Sequence, residues 1–287
     1  MVQLLDRDIQ TREVSAWGGV HVLHYAGSTC SQKLRIFLNL KGIWWQSHPI
    51  DLSKHENYSP WFLGINPRGL VPVLVHDGKV HIESNDIITY LEATFPAPRL
   101  IPKGCDAQVA KLLHHEDDLH LDLRTLSFRF IFNRKGPPRS AELLKAYEQI
   151  GTGTVQGVED PEKAAQIEFW RRAAAEGFTD QVVKDAIRKF QIEFEALDKI
   201  LRSNAYLFGN ALSVLDIAWF IYVNRLSLCG YPLQRWHPIL SAWFERLAQC
   251  PEFKKEIAVA PQLLGNIAAV RAYDLQAGRT LELIAGL

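Results

Sequence analysis

Residues 20–42, VHVLHYAGSTCSQKLRIFLNLKG, decide the fold. The first part, VHVLHYAG (20–27), is a short β-rich run closed by Gly27. SQKLRIFLNLKG (31–42) carries Leu34, Phe37, Leu38 and Lys41 at helical spacing, and Gly42 ends it. A strand therefore feeds a helix through Ser28, Thr29, Cys30 and Ser31. The first turn of a helix presents unsatisfied N–H groups and the positive end of the dipole, which favour an anion such as a thiolate. A hydroxyl or thiol there can do chemistry, or Ser28 or Ser31 can simply cap the helix.

Working outward, IWWQSHPIDL (43–52) is aromatic and β-branched and predicts a second strand. Residues 54–69 hold at most a short helix broken by Pro60 and Pro67. LVPVLVHDGKVHIE (70–83) is two apolar runs joined by Asp77-Gly78, a tight hairpin signal. SNDIITYLEATFP (84–96) places Ile87, Ile88, Leu91 and Phe95 on one helical face before Pro96. The order βαβ-ββα predicts an α/β domain over residues 19–97, with a mixed four-stranded sheet covered by helices. Pro72 stands at the head of an apolar strand, where a cis bond would present the backbone of Val71 to a ligand. Glu83 and Ser84 stand where a strand gives way to a helix, and side-chain oxygen with backbone N–H can there hold an amino-acid-like carboxylate and ammonium.

PAPRLIPKG (96–104) is rich in proline and reads as the linker. Beyond it, helical patterns cover roughly 105–133, 139–150, 159–176, 179–203, 213–229, 238–249 and 259–284, so residues 105–287 are expected to form one all-α helical-bundle domain. NRKGPPRS (133–140) and GTGTVQG (151–157) read as loops, and residues 1–18 as an N-terminal extension. Ser213 and Asp216 form a close variant of a capping box, a structural device worth about 1 kcal/mol.

The composition narrows the function. Lysine plus arginine equal aspartate plus glutamate at 32 each, so no positive excess draws the chain to nucleic acid. Cys30, Cys105, Cys229 and Cys250 lie far apart without zinc spacing, so neither a metal nor a disulfide framework is expected, and a reducing cytoplasm fits. No continuous apolar core marks the first residues as a secretory signal, and no apolar run reaches the ~20 residues of a membrane span. A soluble, cytoplasmic protein is expected.

With these residues in view, the chain resembles the glutathione transferases. STCSQKLRIFLNLKG (28–42), NPRGLVPVL (66–74) and ESNDIITYLEATFP (83–96) stand in the order and spacing of that family's thioredoxin-like glutathione-binding domain. The resemblance implies that Ser28, or else Cys30, faces the glutathione sulfur. It implies that Val71, before a cis Pro72, pairs its backbone with the cysteinyl part, and that Glu83 and Ser84 bind the γ-glutamyl end. Lys54, His55 and Arg68 are candidates for the glycyl carboxylate. A serine would stabilise the thiolate by hydrogen bonding, for conjugation. A cysteine would form a mixed disulfide, for thiol exchange.

The S-x-C-S-x-K-x-R pattern at 28–35 resembles both zeta-type maleylacetoacetate isomerases and reductive dehalogenases. Residues 66–96 with EFWRRAAAEGFTDQVVKDAIRKFQIEFEALDKIL (168–201) resemble bacterial β-etherases, which use glutathione to cleave aryl ethers; the added length at about 130–180 departs from the isomerases. The implied activity is a glutathione S-transferase acting on an aromatic or apolar electrophile, with β-aryl ether cleavage as one form. The alternatives are a Cys30-dependent isomerase or reductive dehalogenase, and a non-catalytic protein that binds glutathione or a hydrophobic ligand. Detoxification or aromatic-compound catabolism, and a homodimer, go with the resemblance. The electrophile is expected between the domains, walled or anchored by some of Tyr25, Trp61, His114, His115, His120, Arg124 and Trp170.

Overall fold

The computed structural model describes residues 2–132 and 138–286, so residues 133–137 of the NRKGPPRS stretch lie outside the described residues. The chain forms two compact units: residues 2–98 with 138–177, and residues 99–132 with 178–286.

The first unit is built on a five-stranded sheet in the order β1-β5-β4-β2-β3. Its strands are β1 (Val2–Gln3), β2 (Val20–His24), β3 (Gln46–Pro49), β4 (Val73–His76) and β5 (Lys79–Ile82). The helices α1 (Thr29–Leu40), the single turn α2 (Pro60–Leu63) and α3 (Ser84–Thr94) join them. β2 and β3 are parallel, as a crossover through α1 requires, and the other pairings are antiparallel. This is the thioredoxin-like arrangement expected, with two additions.

The first addition is β1. Residues 2–18 of the N-terminal extension build onto the sheet: Val2 and Gln3 pair with Ile82 and His81, adding a fifth strand to the expected four. The outer edge of β5 offers unpaired backbone groups that two residues can satisfy, and two residues are too few to carry a periodic signal. Leu4, Ile9 and Val14 then enter the core with Leu23, Ile50, Phe62, Val73, Val75, Val80 and Ile82.

The second addition is the segment 138–177, which the sequence places in the helical domain and which packs instead with the first unit. It contains α6 (Ala141–Gln149), a small hairpin of β6 (Thr154–Val155) and β7 (Val158–Glu159), and α7 (Pro161–Glu176), following α4 (Asp106–Asp117) and α5 (His120–Phe130) of the other unit. GTGTVQG (151–157) is thus partly strand, with Gln156 and Gly157 at the turn at φ 53° and 75°. Asp8, fully buried, ties the two additions together, accepting from Thr154 Oγ1 at 2.8 Å and Gly157 N at 2.9 Å. Tyr147 stacks on Tyr58 at 4.4 Å and donates to the carbonyl of Arg68 at 2.7 Å. A hydrophobic period reveals which face of a helix is buried, but not which body buries it.

The second unit is helical. The pattern at 105–133 is two helices, α4 (Asp106–Asp117) and α5 (His120–Phe130), and that at 259–284 is likewise α13 (Pro261–Gln276) and α14 (Leu281–Ala285). Between them run α8 (Asp180–Leu201), α9 (Val214–Cys229), α10 (Leu233–Trp236), α11 (Pro238–Leu247) and α12 (Pro251–Glu256). Every residue of α9 from Val214 to Leu226 is buried, so it is the central helix, packed by α4, α5 and α11. Asp216 holds its start, accepting from Ser213 N and Oγ at 2.9 and 2.8 Å, Leu207 N at 2.9 Å and Trp243 Nε1 at 3.0 Å. Among the described residues no helix is long and apolar enough to cross a membrane.

Candidate active site

Strand register brings three turns to one edge of the sheet. Leu23, at the end of β2, lies opposite Val73, at the start of β4, so the segment from Tyr25 to Ser28 runs beside Val71 and Pro72. Leu74 lies opposite His81 on β5, so Glu83 emerges on the far side of Pro72. The antiparallel pairings make this juxtaposition unavoidable once the hairpin forms at Asp77-Gly78.

At the first turn, Ser28 is the N-cap of α1 and its Oγ accepts from Ser31 N at 3.3 Å. Capping and chemistry are compatible here: the hydroxyl uses a lone pair for the cap and keeps its proton to donate elsewhere. Cys30, half-buried, is the second helical residue. Three residues of α1 hold the turn. Arg35 donates to the carbonyls of Tyr25 at 3.1 Å and Ala26 at 3.0 Å, and Ser31 Oγ receives Tyr25 N at 3.4 Å. Lys33, buried, donates to Asn85 Oδ1 on α3 at 2.7 Å, linking the first turn to the third.

At the second turn the Val71–Pro72 bond is cis, as expected. The loop before it is shaped by asparagines whose roles the sequence reading missed: Asn66 Nδ2 donates to Leu70 O at 2.8 Å, and Asn57 Nδ2 to Gly69 O at 2.7 Å. Gly69 sits at φ 60°, and a Cβ there would lie 3.2 Å from Asn57 O and from the Tyr147 ring, so glycine is required.

At the third turn Glu83 holds φ 66°, a conformation costing a non-glycine residue about 1–3 kcal/mol and concentrated at functional sites. Arg68 donates to Glu83 Oε1 at 2.5 Å, and its Nε and Nη2 fork onto Asp160 at 2.7 and 2.9 Å. Burial works against the Arg68 charge, but the two carboxylates raise its pKa above the ordinary guanidinium value. Arg68 is therefore committed within the first unit rather than held out for a glycyl carboxylate. Lys54 remains exposed, 3.4 Å from Asp51, and His55 is half-buried at φ 60°. Ser84, the first residue of α3, is buried.

The electrophile candidates are divided between the two units. Tyr25 stays beside the first turn, its ring 3.3 Å from where a Cβ on Gly27 would sit. Trp61 instead donates through Nε1 to Glu13 at 2.6 Å, and Trp170 is buried beneath the Arg139 guanidinium at 4.5 Å and against Phe169. Both serve packing of the additions, because an indole finds its partner wherever the chain supplies one. His114 and His115 are exposed on α4 of the second unit, beside Asp118 and Glu193. Arg124 lies there too, 3.2 Å from His120 Nε2, whose Nδ1 is 3.4 Å from Tyr222 Oη.

Two histidines of the sheet predict an acid response. Burial, with Arg35 and His48 adding to it, lowers the pKa of His24 to about 4; burial, with His76 and Lys79, lowers His81 to about 4. Both are neutral in the folded chain, while the unfolded chain takes up these protons below about pH 6.5. Stability should therefore decline as pH falls from about 6.5 to about 4. Both ring nitrogens of His81 are buried without a hydrogen-bond partner, and the ring stacks on Tyr90 at 4.0 Å. His81→Phe should keep the stack and flatten the decline in urea midpoint over this interval; an unchanged slope would assign the response elsewhere.

Comparison with known proteins agrees with this geometry. Residues 27–94 match the family model of the glutathione S-transferase N-terminal domain, and residues 180–246 that of the C-terminal domain. Protein LigF of Sphingobium sp. is 31% identical over 225 residues, 75% of this chain and 84% of that protein. The crystal structure of β-etherase LigF superposes with a TM-score of 0.70 at 29% identity, covering 83% of this chain and 98% of that one. A zeta-class glutathione S-transferase of Euphorbia esula is 29% identical, over 62% of this chain and 80% of that protein. A probable maleylacetoacetate isomerase of Vibrio cholerae is 28% identical, over 80% and 91%. With a relative this similar along most of both lengths, and family models matching on either side of the inserted segment, the chain belongs to the glutathione S-transferase family of enzymes.

Proposed function

We propose that this protein binds glutathione along the edge formed by Ser28, Val71, Pro72, Glu83 and Ser84, and uses the thiolate to displace a phenoxide from an aromatic ether at the carbon next to a ketone. The observation that carries the reading is the register that runs the turn of Ser28, which keeps a hydroxyl proton to donate, along one side of Val71 and Pro72, with Glu83 on the other. In the reaction the thiol proton leaves to solvent and Ser28 donates to the sulfur anion, lowering the thiol pKa toward neutrality. A carbon–sulfur bond forms as the carbon–oxygen bond breaks, and the phenoxide departs with the electron pair. The ketone makes that carbon electrophilic, so an oriented sulfur and an apolar pocket suffice. Similarity to the β-etherase LigF favours this electrophile class. Lys54 or His55 meets the glycyl carboxylate, and Tyr25 borders the electrophile. The protein works as a cytoplasmic homodimer in detoxification or aromatic-compound catabolism.

Cys30, half-buried in the first turn of α1, favours a second reading. Its thiolate would attack the glutathione sulfur of a conjugate, forming the mixed disulfide while the released carbanion takes a proton, and a second glutathione would then reduce that disulfide. Turnover of a β-aryl ether ketone, a chlorinated hydroquinone and maleylacetone with glutathione separates the two. Ether cleavage that survives Cys30→Ala upholds the first reading. Activity lost in Cys30→Ala, with a glutathione adduct on Cys30 by mass, replaces it.

A further inference from the structure

We propose that Asp160, on the inserted segment, is a positioning residue for the glutathione site: through Arg68 it sets the charge and orientation of Glu83, and so the affinity for the α-ammonium of a γ-glutamyl group. The inference rests on the reading that Glu83 meets that group.

The chain of contacts is short. Arg68 uses Nη1 for Glu83 at 2.5 Å and the Nε–Nη2 edge for Asp160 at 2.7 and 2.9 Å, a bidentate fork that fixes the guanidinium plane. The Asp160 side chain is 2% exposed, Arg68 13% and Glu83 34%, so the order runs from interior to edge. Asp160 is itself anchored: it caps α7, accepting from Glu162 N at 3.4 Å, and its own N–H donates to Gly153 O at 3.0 Å. Tyr147, also from the inserted segment, fixes the Arg68 carbonyl.

Charge gives the arrangement its purpose. Arg68 with Glu83 alone sums to zero and would draw an ammonium weakly. Asp160 brings the three groups to a net charge of −1, and its distance from solvent keeps that charge poorly screened. The buried Lys163, whose field also reaches Asp160, is offset by Glu148 and donates to Ile150 O at 2.6 Å. Asp160 takes the Nε–Nη2 edge of Arg68, so Nη1 meets Glu83 at Oε1 in a fixed plane and orients the carboxylate. The segment that supplies Asp160 lies outside both stretches matched by the family models.

The test uses the full-length chain, titrated calorimetrically with glutathione and with glutarylcysteinylglycine, the same tripeptide without its α-amino group. Asp160→Asn keeps the helix cap and removes the charge. It should raise the Kd for glutathione about tenfold, the equivalent of about 1.4 kcal/mol, and that for the des-amino analogue less than about twofold. Asp160→Glu should restore most of the affinity. Equal losses for both ligands, or no loss for either, would overturn the proposal and leave Asp160 as a cap. Glu83→Gln tests the underlying reading separately: if it leaves glutathione binding unchanged, the γ-glutamyl assignment of Glu83 fails whatever Asp160 does.

Discussion

Ser28→Ala should lower kcat for glutathione-dependent turnover by about 10²-fold, the cost of removing one donor aimed at a developing or resident anion. The same loss should appear in the ground state: a hydrogen bond to a charged group contributes about 1.5–3 kcal/mol, so the pKa of the bound thiol should rise by about 1–2 units. Ultraviolet titration of the thiolate in the binary complex reads that shift directly. The alanine variant also loses the cap that Ser28 supplies to Ser31 N, worth about 1 kcal/mol. Ser28→Gly separates the two effects, since glycine costs an N-cap only a few tenths of a kcal/mol while lacking the hydroxyl. Equal activity losses in the two variants, with unequal losses in stability, assign the effect to chemistry. Activity that survives in Ser28→Gly would remove Ser28 from the mechanism and leave it a cap.

Asp216→Ala should destabilise the chain by about 3–6 kcal/mol, a large share of the stability of an ordinary domain. Three donors, Leu207 N, Ser213 N and Trp243 Nε1, converge on the carboxylate with the Ser213 hydroxyl, and all are left without their acceptor. Each buried orphan costs about 1–3 kcal/mol. Burial raises the Asp216 pKa while its donors oppose the shift, so the site tolerates a charge only because it is saturated with hydrogen bonds. Asp216→Asn keeps one carbonyl oxygen and should cost about half as much. Urea unfolding monitored at Trp243 and the other tryptophans measures both variants. A loss below about 1 kcal/mol would mean that α9 is held by packing alone.

This second case shows how far local spacing carries. The S-x-x-D signal marked the start of α9 correctly, because a cap is written within four residues. It valued the cap at about 1 kcal/mol, whereas Asp216 also gathers Leu207 and Trp243, nine and 27 residues away. Spacing within a helix says nothing of donors that arrive from other elements. Trp61 and Trp170 went astray for the same reason: their composition suits a ligand pocket, but Glu13 and Arg139 occupy them. Arg68 read as a loose cation near the glycyl end, because its true partner, Asp160, stands 92 residues on.

What the sequence by itself determined were the features with a local cause: the β-rich and apolar runs that make β2, β4 and β5, the Asp77-Gly78 hairpin, the 3.6-residue period of α1 and α3, and hence the thioredoxin-like core with Ser28, Val71 and Glu83 at its turns. Tertiary structure alone decided that residues 2–18 and 138–177 build onto that core, that β1 completes the sheet edge, and that Asp8 and Asp160 lock the additions to each other and to Arg68. The physical reason is that burial and ion pairing depend on which surfaces meet, and a periodic pattern records only that a face must be covered.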